Sequence, residues 1–438
     1  MMRYWIVMVV VLLGFGCVDA VDAEDRPYLT TQTPLTLLSA NDGEITQLFQ
    51  LTDDHTTDWK LKTKDSFTVI HLGPDHPPIM RTVYDTVPAT IKGTPTMALS
   101  RNGRYGLIAN HGLRTEPDLK IQLPPGPRTN ADLTPEMLRG KTLTAQYANL
   151  ISLIDLSDRT FPVVHRVLLD DCPVHVLRHP DGERFVVGAT ENFYVFRIVD
   201  GRLVQISRNP HPFGLPCFWI HPSGNHIIAT HSLPREPLTA GKRFAFTETC
   251  TVQWFSMKGD SIKHLSEVKV QKGVNTKLTP ASLILRVSPD GRFALICQRA
   301  GTSGRDMCDI LVADLTLERP AINGVIKQVA DGVESFAFHP NGKMAVATGL
   351  GTDHNCIAVL DMAAKPIRLL YTLDAKGLGQ GIEFTPEGDK LFVGSALAGR
   401  IEVFDVAGEY ELRKNPYSLN VGFGHSSLTL GPRYQPPK

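Results

Sequence analysis

Residues Ser288 to Gln298 read SPDGRFALICQ. A Pro-Asp-Gly turn runs into the seven residues RFALICQ, five of them apolar, and the segment before it, LILRV, is mostly apolar too. Strand, glycine turn, strand is hairpin chemistry, because glycine supplies the positive φ that tight turns demand. The same unit returns as MALSRNGRYGLIAN, VLRHPDGERFVVGAT, FWIHPSGNHIIAT, FAFHPNGKMAVAT and IEFTPEGDKLFVGS. Each copy is followed by a third apolar strand, as in NLISLIDLSD, DILVADL and RIEVFDVAG. The turn glycines Gly103, Gly182, Gly224, Gly291, Gly342 and Gly388 are spaced by 79, 42, 67, 51 and 46 residues. The short spacings match a four-stranded blade of about 40–50 residues, and the two long ones carry insertions, at about 111–148 and 231–249.

Six units are explicit, and the chain ends supply a seventh. HSSLTLGPR, at 425–433, reads as a first strand with no successor. Near the N-terminus TPLTLLSANDG and DSFTVIHLG read as second and third strands with no first. Pairing Ser426–Leu430 with the N-terminal strands closes the ring and leaves no free inner edge. The expected fold is all-β: a seven-bladed β-propeller closed by its N- and C-terminal strands, one domain over 24–438.

SPDGRFALICQ and HPNGKMAVATG, with V-x-V-x-D third strands, resemble the YVTN and lactonase-type seven-bladed propellers, themselves similar to WD40 propellers. No blade here ends in Trp-Asp. The resemblance implies architecture. Relatives of this class include lactonases and subunits of periplasmic dehydrogenases, and none of their catalytic constellations maps onto these residues.

Basic and acidic residues balance at 45 each, so no electrostatic footprint points to nucleic acid. Arg3 followed by the apolar run WIVMVVVLLGFG reads as a signal peptide over 1–23, which makes the protein secreted or periplasmic. A second reading makes Cys17 a lipoprotein anchor. No later stretch is long and apolar enough for a transmembrane helix. Export permits disulfides among Cys172, Cys217, Cys250, Cys297, Cys308 and Cys356. Folding the fourth hairpin about its midpoint sets Cys297 opposite Cys308, the expected bridge, with Cys172–Cys217 a second candidate.

A duplicated loop marks the candidate site. IANHGLRTEP (108–117) and IATHSLPREP (228–237) share Ile-Ala-x-His-x-Leu-x-x-Glu-Pro, each after a second strand. His111 with Glu116 and His231 with Glu236 therefore fall on one face, two blades apart. Blade-to-blade connections add His175, Glu334, Gln380 and His425 to that face. Imidazole and carboxylate suit a divalent metal, with His111, His175 and His231 as ligands, or a general acid/base pair. The competing reading is that these polar loops are structural. His179, His221 and His339 each precede a turn and read as structural hydrogen-bonders. Cys-x-x-Cys-His is missing, which excludes covalent haem. Three functions follow: a binding or scaffold propeller that recognises a protein, a glycan or a small molecule at the channel mouth; a lactonase-type hydrolase; and a supporting subunit of a periplasmic dehydrogenase. The first ranks highest, leaning away from catalysis.

Overall fold

The computed structural model describes residues 28–42, 65–84, 86–87, 95–110, 128–129, 150–171, 173–189, 191–211, 217–234, 246–270 and 284–298. It also describes 307–317, 319–349, 357–375, 379–396, 398–422 and 424–436. Among these residues there is no helix, and the strands form seven sheets, each an antiparallel meander. Blade 1 spans 97–168, blade 2 173–210, blade 3 217–270, blade 4 285–331, blade 5 335–373 and blade 6 379–420. Blade 7 takes its innermost strand from His425–Pro432 and its other three from Leu35–Asn41, Ser66–Leu72 and Ile79–Tyr84. The closing register runs from Leu35 opposite Pro432 to Asn41 opposite His425. The ring is a seven-bladed propeller clasped by its ends, as the two incomplete terminal repeats predict.

Burial is nearly continuous along the inner strands because each blade packs on a neighbour on both sides, and only outer strands such as Arg202–Pro210 alternate. The result is seven apolar clusters, one per seam. Blade 4 illustrates the division: Leu295, Cys297, Cys308 and Ile310 face blade 5, and Ala294, Ile296 and Leu311 face blade 3. Each such aliphatic side chain contributes about 1.5–3 kcal/mol by leaving water, so the seams hold the ring together.

That register corrects the cysteine pairing. Gln298 lies opposite Asp309 and Cys297 opposite Ile310, while Cys308 faces Ala330 on its other side. The hairpin folds one residue away from the assumed midpoint. Cys297 and Cys308 are diagonal, too far apart at about 7–8 Å between backbones for a bridge, and the Cys297–Cys308 disulfide is not formed. Of the second candidate pair, Cys172 lies outside the described residues.

The insertion regions differ from plain loops. In blade 3 the second and third strands extend as Ala-x-His continues: His231 pairs with Thr251 and Ser232 with Cys250, before a register shift at Pro234. Proline has no N–H to give the ladder, which accounts for the shift there. In blade 1 Arg128–Thr129 returns to pair with Val167 and Leu168 as a fifth strand on the outer edge. Such a strand covers an edge that would otherwise template foreign pairing.

Candidate functional site

The meander gives the ring two unlike faces. On the turn face no connection between strands exceeds the seven residues from Asp155 to Val163. On the opposite, looped face, forty residues separate Ala109 from Leu150 and twenty-four separate Asn41 from Ser66. The described histidine and glutamate candidates, His175, Glu334 and His425, stand at or beside the ends of inner strands on that second face. His111, Glu116 and Glu236 lie outside the described residues, and for His231 only the strand position is described.

His175, Glu334 and His425 are described, and all three are buried. His175 sits on the innermost strand of blade 2, and its Nδ1 accepts the Phe218 N–H of blade 3 at 3.2 Å. Its ring packs 4.7 Å from that of Phe218. The same position recurs around the ring: Cys217 Sγ accepts from Leu285 N–H (3.3 Å), Ser335 Oγ from Gly381 N–H (3.1 Å) and Ser427 Oγ from Thr96 N–H (3.4 Å). Innermost strands present N–H groups with no further strand to meet, so the preceding blade satisfies them. His175 thus belongs to a structural ring.

Glu334 and His425 come together through Gln380. Gln380 Nε2 donates to Glu334 Oε2 at 3.3 Å. The His425 ring lies beside the Gln380 carbonyl, and its Nδ1 is 2.9 Å from Ser39 Oγ. Asn41 extends the network, donating to Ser66 Oγ (3.1 Å) and to the Val421 carbonyl (2.7 Å). Burial pushes the His425 imidazole down to about 4, against the pull of the Gln380 carbonyl. It is neutral at physiological pH. Space for it exists because residue 394 is glycine: a Cβ there would stand 1.9 Å from His425 Nε2 and 2.3 Å from the Gln380 oxygen.

Asp171 closes the corner between blades 1 and 2. It accepts from Glu191 N–H at 2.7 Å, from Asn192 at 3.2 Å and from the Tyr194 hydroxyl. Burial, then that bond, holds the Tyr194 phenol well above its ordinary range.

The central channel holds the constellation that motif reading missed. Arg286 of blade 4 reaches across it to Glu383 of blade 6, Nη2 to Oε2 at 2.8 Å. Its Nη1 donates to the carbonyls of Phe336 (2.7 Å) and Ile382 (3.2 Å), and the guanidinium lies 4.7 Å from the centre of the Trp219 ring. Four blades meet on this one side chain. The planar fork and weak hydration of guanidinium suit such a junction. The space left beside it is about 20 Å³, lined by Trp219, Arg286, Ser335, Glu383 and Ser427 among others, enough for a water. The signal was present in the sequence: Trp219, Arg286 and Glu383 each stand five residues before their turn glycine, a position that the innermost strand turns toward the axis.

The turn histidines behave as expected and do more. Nδ1 of His179, His221 and His339 accepts an N–H within its own turn, from Asp181, Ser223 and Asn341, each at 3.2 Å. Nε2 then lies 2.8–3.0 Å from the carbonyl of the next blade's turn glycine: Gly224, Gly291 and Gly388. With Nδ1 accepting, Nε2 carries the proton and donates. Each ring straps two blades. Among the described residues no three His, Cys, Asp or Glu side chains converge as a metal site would require.

No family model matches this chain, and no curated protein matches its sequence. Solved structures do resemble it. A candidate 6-phosphogluconolactonase of Bacteroides fragilis superposes over 92% of this chain and 99% of its own at TM-score 0.56 and 13% identity. The periplasmic gluconolactonase of Pseudomonas aeruginosa covers 91% and 99%, at TM-score 0.55 and 13% identity. Hydrazine synthase of Kuenenia stuttgartiensis covers 78% and 90%, at 0.51 and 13%. At such identities the likeness is one of fold.

Proposed function

We propose that this chain is an exported recognition propeller that binds a protein or glycan partner through its looped face. The observation that carries this reading is the asymmetry of the ring. Every long connection leaves from one face, from strand ends fixed by the seams, and beneath it Arg286 meets Glu383 and Trp219. Loops on a rigid scaffold are where recognition concentrates. The described polar candidates on that face, His175, Glu334 and His425, already serve blade-to-blade hydrogen bonds. The apolar N-terminal run supports export.

A lactonase reading is supported by the names of two structural neighbours and by the Arg286–Glu383 pair in the channel. Size argues against the channel as its site. Small-molecule pockets occupy roughly 300–1,000 Å³, and about 20 Å³ is left here. A lactone would have to sit above, among the loops.

Photo-crosslinking in the native extracellular or periplasmic fraction tests the proposal. A photoreactive residue at Glu191 or Asn420, exposed on the looped face, is expected to trap a partner. The same residue at Asp158 or Asp181, exposed on the turn face, is expected to trap none of it. Equal trapping from both faces would overturn the assignment.

A further inference from the structure

On the turn face six of the seven seams are bridged where one blade's turn meets the next. Histidine does this in seams 2–3, 3–4 and 5–6. In seam 1–2 the Arg101 side chain lies on Gly182, 2.6 Å from where a Cβ would stand. In seam 7–1 the Pro432 carbonyl lies on Gly103 at 1.9 Å. Seam 6–7 is joined by Thr33 donating to Glu387 at 2.7 Å.

Seam 4–5 is the exception. Its turn has serine where blades 2, 3 and 5 have histidine, and Ser288 Oγ turns inward to Asp290 Oδ1 at 2.6 Å. Nothing lies within 4 Å of where a Cβ of Gly342 would stand, although Gly342 has the same turn geometry, φ +72°, as Gly224 and Gly291 at +74° and +73°. A cleft of about 260 Å³ opens instead, lined by Pro289, Phe293, Pro340 and Met362 and also by Asp290, Arg292, Asn341 and Lys343, with the Arg292 guanidinium 5.3 Å from the centre of the Phe293 ring. Its apolar and polar side chains together surround a backbone carbonyl, that of Gly342, equivalent to those that accept an imidazole N–H in three other seams.

We infer that this cleft is a ligand site for a planar heteroaromatic ring bearing an N–H, of the imidazole class, which donates to the Gly342 carbonyl. The molecule itself supplies the template: three intramolecular rings occupy the equivalent position with one hydrogen-bond polarity. A ligand ring enters between Pro289 and Pro340, packs on Phe293 and Met362, and completes the strap that Ser288 does not make. The site is independent of the looped face and stands whether or not that face binds a partner.

The test uses the full mature chain with ¹³C-methyl methionine, the Met362 signal being assigned from Met362→Leu. At about pH 8.5, where both probes are neutral, titration with imidazole should shift the Met362 methyl saturably, with Kd of about 1–10 mM for so small a ligand. 1-Methylimidazole has the same ring and no N–H, and should bind at least tenfold more weakly. Ser288→His should fill the slot from within and abolish the response. N-acetylhistidine methylamide, compared with imidazole, separates the sources: tighter binding assigns the ring to a partner's histidine, weaker binding to a free small molecule. No saturable shift, equal binding of 1-methylimidazole, or an undiminished response in a folded Ser288→His variant would overturn the proposal. Should Ser288→His fail to fold, the two probes on the unaltered protein decide it.

Discussion

Arg286 joins four blades through its guanidinium. Its guanidinium and the Glu383 carboxylate keep only 17% and 20% of their side-chain surface exposed. Replacing Arg286 by Met strands the carboxylate and leaves the Phe336 and Ile382 carbonyls without their donor. The expected cost is about 3 kcal/mol, read as a lower urea midpoint. Arg286→Lys should recover part of it, because an ammonium keeps the charge and loses the fork. At Gly394 the constraint is steric and the obstacle includes a backbone carbonyl. Gly394→Ala should cost more than 3 kcal/mol, or prevent soluble expression. His425 sets a pH dependence. Its folded value, about 4, lies below the unfolded 6.5, so the unfolded chain binds the proton first and stability falls as pH drops from about 6.5 toward 4. At pH 5 the loss is about 2 kcal/mol. His71, also lowered to about 4 chiefly by burial, acts in the same window. Unfolding midpoints at pH 7 and pH 5 should therefore differ, and a folded His425→Asn variant should show a clearly smaller difference. These roles were only half legible from residue types. A histidine beside a blade connection reads alike as ligand or as core, and a one-residue offset in the fourth hairpin moved Cys297 off Cys308.

The recurring element is the blade, and its repeat was readable because alternation and turn glycines are local signals. Hairpins, third strands and the structural use of His179, His221 and His339 all follow from them. What local pattern does not encode is the partner across a seam. The strap from His221 to Gly291 spans 70 residues, and the one from His339 to Gly388 spans 49. Each strap joins groups near the surface, where water competes, so His339→Ala should cost about 1 kcal/mol. His179 is nearly fully buried and also contacts Arg184. His179→Ala should cost more, about 2 kcal/mol, measured as the difference in denaturant midpoint at constant slope. The fourth strands were the least visible elements. In Arg202–Pro210 and Leu412–Asn420 the outward residues are exposed, and a polar alternating edge resembles a loop in sequence.

At the scale of the whole molecule, closure is the device on which the rest depends. The last strand supplies Leu428 to the seam cluster shared with Leu37, Ile70, Phe392 and Val403. Removing the residues after Tyr417 strips that cluster and exposes the edge of Leu35–Asn41, so the truncated chain should melt more than 10 °C lower than the intact one. A ring closed in this way fixes the strand ends from which the connections of the looped face leave. Beside Arg286 the space left inside the ring is about 20 Å³. The most direct measurement is the rate of hydrolysis of glucono-δ-lactone and of its 6-phosphate by the purified mature chain, against buffer alone. A recognition propeller predicts no acceleration at any protein concentration. Turnover at or above about 1 s⁻¹, the lower end for typical enzymes, that is lost in a folded Arg286→Met variant would contradict the account and place chemistry in the channel.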